Sequence, residues 1–195
     1  MPTEFTALCL GNPGERYQKT RHNAGFFVAE EVAEAISCRL RKRLFVPYRS
    51  CYRPPLLVAT PLTYMNRSGD ILPSLVRRYP TATGRLVIVF DQMDLPPGAI
   101  RLKRGGGAGG HRGVASVLQN SRERQEILKL SVGIGRPPPN MSVTEYVLSP
   151  PEESEATRLR EACRRAADVL LRLRSEDANS VMSEVNRRDQ IESHP

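Results

Sequence analysis

Short unbroken apolar runs alternate along this chain with stretches in which apolar residues recur every three or four positions. FTALCL (Phe5 to Leu10) ends at GNPG and reads as a buried strand that delivers a loop from its C-terminal end. From Ala24 the positions Phe27, Val28, Val32, Ala35 and Ile36 keep helical spacing, which puts His22 and Asn23 at a helix's first turn. Residues 39–55, rich in arginine and proline, read as a connection, and LLVAT (Leu56 to Thr60) follows as a second or third strand. Ser68 is placed to cap a helix over Ile71 to Tyr79, with Pro73 confined to its first turns. LVIVF (Leu86 to Phe90) is the clearest strand, and Asp91 follows it directly. AIRLK then alternates apolar and basic residues as a half-exposed strand does, presenting Arg101 and Lys103 to one side. VASVLQN is helix-like, LKLSVGIG gives another strand, and VTEYVL (Val143 to Leu148) is a short extended segment or a turn. Leu159, Ala162, Cys163, Ala166, Leu170 and Leu173 define one amphipathic helix over Glu152 to Arg174.

Strands alternating with helices predict a single α/β domain, a three-layer sandwich with a twisted mixed β-sheet flanked by helices. Its expected extent is 1–178, with 179–195 a polar C-terminal tail. A chain of 195 residues, 39% hydrophobic, suits one core. The formal charge of +8 adds something the pattern does not show: a polyanionic partner such as RNA or DNA. Basic residues are spread as on a face, and the run RLRKR (Arg39 to Arg43) is either part of that face or a solvated helix end. The cysteines at 9, 38, 51 and 163 form no C-x-x-C pair and have no histidine at ligand spacing, so zinc and redox motifs fail and free thiols are expected. The N-terminal residues carry no basic leader before a long apolar region, and no window approaches 18 apolar residues. A cytoplasmic, monomeric protein without membrane contact is expected.

Chemistry concentrates in TRHNAGFF (Thr20 to Phe27), led in by GNPGERY. A histidine, two asparagines and an arginine meet there at a strand-to-helix seam. Of the three histidines, His194 is penultimate and expected to fray, which leaves His22 and His111, each in a loop with glycine or asparagine. Asp91, at a strand's C-terminal end, is placed to contact a loop histidine or to cap the following turn; Asn66 either projects beside Asn12 or serves only its turn. GGGAGGHRG contains G-x-G-x-x-G, but the charged strand before it and the lack of an acidic residue about 20 positions on argue against a dinucleotide fold. A glycine loop that lets backbone approach a ligand fits better.

GNPGERY, TRHNAGF, PLTYMNRSG, DLPPG, GGHRG and GIGRP, in this order, resemble the bacterial-type peptidyl-tRNA hydrolase family over about residues 5–175. The resemblance implies a cofactor-free and metal-free esterase that releases peptide from peptidyl-tRNA. It implies His22 as base, Asp91 as the acid that orients it, and Asn12 and Asn66 as groups that position substrate and water. Tyr17, Met65 and His111 match substrate-groove residues, and Arg101 and Lys103 match positions associated with tRNA phosphates. The chain departs from the family pattern at Arg112, where asparagine is usual; there arginine would replace a neutral clamp with a phosphate or carbonyl donor. It departs also at Phe90, at Ser131 and in the short connection 39–55. The chemistry agrees: an aminoacyl ester is activated enough for water deprotonated by a neutral histidine, and no G-x-S-x-G supplies a serine nucleophile. A non-catalytic RNA-binding protein on the same fold is the alternative. It needs the basic face but no base and acid pair.

Overall fold

The strand β1 (Phe5–Cys9) is buried at every position, as an unbroken apolar run must be when both faces of a sheet are covered. In the computed structural model, which describes residues 4–80 and 84–192, β1 lies at the centre of a seven-stranded sheet. Its companions are β2 (Arg41–Lys42), β3 (Tyr48–Arg53), β4 (Leu56–Pro61), β5 (Leu86–Gln92), β6 (Ile100–Arg104) and β7 (Leu128–Gly133). Across the sheet the order is β2-β3-β4-β1-β5-β7-β6. The inner four strands run parallel, whereas β2 and β3 at one edge and β6 at the other are antiparallel to their neighbours.

The helices are α1 (Ala24–Ala35), α2 (Leu72–Arg78), α3 (Arg112–Gln119), α4 (Val143–Val147), α5 (Glu153–Arg172) and α6 (Ala178–Glu192). Alternation along β1 sends Ala7 and Cys9 into one core with Val28, Leu170 and Val181, and Leu8 into the other with Leu75, Val114 and Val117. The α/β sandwich with a mixed sheet is therefore what the pattern predicted.

Several local readings differ. The supposed connection 39–55 holds β2 and β3, a charged edge hairpin whose lack of apolar alternation hid it. VTEYVL forms a helical turn, α4, started by the Ser142 hydroxyl, which accepts a bond from the Glu145 N–H at 3.2 Å. Ser68 caps nothing; its buried hydroxyl donates to the Met65 carbonyl at 2.8 Å, and α2 starts at Leu72 with Pro73 in its first turn. Asp91 is inside β5, opposite Val132, not after it.

The stretch expected as a polar tail is α6, with Val181 and Val185 buried. The Asn186 side chain accepts from the Leu102 N–H at 3.1 Å and donates to its carbonyl at 2.9 Å. The helix thus covers part of the free edge of β6, where unpaired backbone groups would otherwise face outward. His194 lies outside the described residues.

Candidate active site

The C-terminal ends of β1 and β5 are adjacent, because Cys9 pairs with Val89, and the loops leaving them meet. The loop after β1 returns as a tight 3-10 turn, Arg21–Asn23, just before α1. Two asparagines clip loop to turn. The Asn12 N–H donates to Asn23 Oδ1 at 2.8 Å, and Asn23 Nδ2 donates to the Asn12 carbonyl at 3.1 Å. Arg21, 6% exposed, reaches the other way. It forks onto Glu155 (Nε to Oε1, 2.9 Å) and donates to Ser149 Oγ at 2.8 Å and to the Pro150 carbonyl at 3.0 Å. Burial disfavours both charges, but the pair overrides it: the Arg21 guanidinium holds the Glu155 carboxyl below its usual range, and Glu155 raises Arg21. His22, between Arg21 and Asn23, is anchored from both sides.

His22 Nδ1 lies 2.8 Å from Asp91 Oδ1, and His111 Nε2 lies 3.0 Å from the same oxygen. The rings are 5.0 Å apart, and Phe90 packs edge-on against His111 at 5.1 Å. Asp91 is 3% exposed. Burial pushes its carboxyl up, but the two adjacent imidazoles and their hydrogen bonds outweigh this and hold it well below the usual carboxylate range. An ionised carboxylate only accepts, so each histidine donates to it.

That fixes both rings. His111 is the N-cap of α3: its Nδ1 accepts from the Val114 N–H at 3.2 Å, so its proton sits on Nε2 and both nitrogens are engaged. His22 carries its proton on Nδ1. Its Nε2 has no partner among the described residues, and it is the nitrogen with a lone pair available for chemistry.

Asn12 Oδ1 accepts from the Met65 N–H at 2.8 Å, which leaves the Asn12 amide nitrogen as an available donor and ties the loop after β1 to the segment after β4. Met65 is buried beside α3. A Cβ at Gly113 would press on Met65 Sδ and lie 3.1 Å from His111 Cε1, so glycine leaves the room that Met65 fills here. Asn66 and Arg112 are exposed, at the start of their helical segments, without a hydrogen-bonding partner among the described residues. Tyr17 is half-buried under the Arg16 guanidinium, 4.5 Å from the ring centroid.

Arg101 and Lys103 are not part of this cluster; they lie on the edge strand β6, opposite Ser131 and Lys129. Ligand atoms of His22, Asp91 and His111 lie within 4.8 Å of one another, close enough to hold a cation. The Val114 cap opposes that use, because it keeps a proton on the His111 nitrogen that faces Asp91. Cys9 is fully buried and burial raises its thiol far above the usual range, so it is an inert core residue. Among the described residues no helix is long and apolar enough to cross a membrane.

Residues 7–193 match the sequence profile of the family described as peptidyl-tRNA hydrolase. The chain belongs to that family. A peptidyl-tRNA hydrolase of Carboxydothermus hydrogenoformans is 40% identical over 186 residues, which is 94% of this chain and 98% of the relative. One of Geobacillus thermodenitrificans is 41% identical over 163 residues, 82% and 87% of the two chains. A crystal structure of peptidyl-tRNA hydrolase from Acinetobacter baumannii superposes with a TM-score of 0.83 at 30% identity, covering 95% of this chain and 96% of that one.

Against this family's motifs, the structure brings His22, Asp91 and His111 into contact and links Asn12 to Met65. Two supporting residues went unread in the sequence: Glu155, and Lys129, whose Nζ donates to the Gly107 carbonyl at 2.7 Å and tethers the glycine loop. Asn23 and Arg21 flank His22 and were visible as its neighbours. Glu155 is 134 positions from Arg21, and nothing local marks the pairing.

Proposed function

We propose that this protein hydrolyses the ester that joins a peptide to the 3′-terminal ribose of tRNA, with His22 as the general base. The observation that carries this reading is the free Nε2 of a histidine whose Nδ1–H is held by a buried carboxylate. His22 Nε2 takes a proton from water as the water oxygen bonds to the ester carbonyl carbon. Asp91 keeps the ring in the required tautomer and stabilises the imidazolium. The Asn12 amide nitrogen, aimed by the Met65 N–H on its oxygen, is a donor for the developing oxyanion. On collapse the ribose oxygen leaves and takes the proton back from His22, giving a free peptide acid and a tRNA with its hydroxyl restored.

No step calls on a metal or cofactor. Met65, Tyr17, Asn66 and Arg112 surround the peptide end of the substrate, and Arg112, charged and exposed, donates to a phosphate or carbonyl of it. Arg101 and Lys103 contact tRNA phosphates from the β6 edge. The enzyme acts as a cytoplasmic monomer. RNA binding alone has no use for a histidine with one nitrogen fixed and the other left open, which weighs against a non-catalytic role.

The test is release of N-acetyl-amino acid from N-acetyl-aminoacyl-tRNA, with unblocked aminoacyl-tRNA and the His22→Ala variant in parallel. Turnover by the native protein, sparing the unblocked ester and lost in the variant, is expected. Binding of tRNA without turnover by the native protein would contradict the proposal.

A further inference from the structure

The charged edge hairpin forms, with the segment after α1 and the C-terminal end of α2, a second basic surface that the hydrolytic reaction does not use. Arg39, Arg41, Arg43, Arg53, Arg77 and Arg78 line a groove of about 880 Å³ with no aspartate or glutamate among its described lining residues. All six are exposed, and Arg39, Arg41, Arg43 and Arg77 have no carboxylate partner among the described residues. Arg53 pairs in register with Leu56, the first residue of β4, while Arg41 is level through Ser50 with Ala59, so the groove runs along the edge from the N-terminal end of β4 toward the C-terminal end, where the hairpin turns. The groove flanks β2 and β3, and Arg101 and Lys103 sit on β6, the other edge of the sheet, six strand spacings or about 29 Å away.

We propose that this groove binds the phosphate backbone of a second, structured RNA, distinct from the tRNA being hydrolysed. Guanidinium groups gathered along one groove repel one another, and an array of phosphates relieves that repulsion. Arginine also offers phosphate a planar two-pronged donor, and here every basic residue lining the groove is arginine. At the tip of the hairpin Phe45 is 95% exposed and Leu44 80%. An aromatic ring held out beside a phosphate-binding groove can stack on an unpaired base of an RNA loop. Position favours a second RNA over the body of the substrate. The groove flanks the edge of the sheet opposite the one that carries Arg101 and Lys103, so one acceptor helix running along β6 leaves it open.

The probe is an unacylated RNA hairpin of about 20 base pairs, titrated onto enzyme already saturated with deacylated tRNA, and the variant is Arg41→Ala/Arg43→Ala/Arg77→Ala. We expect the native enzyme to hold both RNAs at once. The variant should bind the hairpin about tenfold more weakly and reduce the salt slope by about two to three. Its kcat/KM on N-acetyl-aminoacyl-tRNA should stay within about twofold of native. Arg41→Lys/Arg43→Lys/Arg77→Lys should recover most of the slope. Three results would overturn the proposal: displacement of the hairpin by tRNA, hairpin binding unchanged in the alanine variant, or kcat/KM falling in step with hairpin affinity. Vesicles of anionic phospholipid captured through these arginines, with the hairpin ignored, would overturn it in favour of a membrane surface. Hairpin binding is read without any ester, so its failure is distinct from failure of the hydrolase reading.

Discussion

Two histidines donate to one carboxylate oxygen, at 2.8 and 3.0 Å, and yet their surroundings give them opposite parts. His22 stands on a turn clipped by Asn23 to the loop after β1 and bolted by Arg21 to Glu155, and its second nitrogen is left open. His111 ends a glycine loop in which Gly105, Gly106, Gly109 and Gly110 all have positive φ, and its second nitrogen is spent on the first turn of α3. A base must hold a lone pair in place without using it, so it belongs on the rigid turn. A histidine with both nitrogens occupied can position a neighbour but cannot take a proton without breaking a bond. The comparison teaches that hydrogen-bond occupancy, more than contact with the acid, separates base from support.

The widest gap should come from removing each ring. His22→Ala is expected to lower kcat/KM about 10³-fold or more, and His111→Asn, whose side-chain oxygen can still cap α3, about tenfold. Equal losses in steady-state hydrolysis would erase the distinction. Asp91→Asn should fall between the two, about 10²-fold in kcat, because the ring keeps a partner and loses the charge that stabilises imidazolium. A change confined to KM would show that Asp91 acts on substrate binding instead.

Arg21→Ala tests the rigid side through stability. It leaves the half-buried Glu155 carboxylate with only the Tyr146 hydroxyl as a side-chain donor, which costs about 2 kcal/mol and roughly 4 to 8 °C in Tm near neutral pH. Glu155 has a depressed carboxyl in the folded state, so its contribution is complete above the usual glutamate range and is lost as pH falls through that range toward the folded value. Native and variant melting temperatures should therefore converge on acidification. A gap that stays constant as pH falls would mean that the ion pair is not its source.

The sheet was legible because its inner strands are apolar runs, and the helices because their stripes repeat at 3.6 residues. The edge hairpin was not, since YRSCYR looks like a loop when charges serve an edge, and α6 was not, since its few apolar positions are spaced among polar ones. Within the site, residue types and motif order pointed to His22, Asp91 and Asn12. The contact of His111 with Asp91 and its cap on Val114 depend on where β5 ends and α3 begins, which no local pattern encodes. The same holds for Lys129 on Gly107, a bond between a strand and a loop 22 positions apart.

The most direct test is nitrogen NMR of the two imidazoles at neutral pH, in protein labelled with ¹⁵N histidine and assigned with His22→Ala and His111→Asn. The account predicts His22 protonated on Nδ1 with Nε2 bare, and His111 protonated on Nε2 with Nδ1 accepting. A proton on His22 Nε2 with Nδ1 bare, or a bare Nε2 on His111, would contradict it.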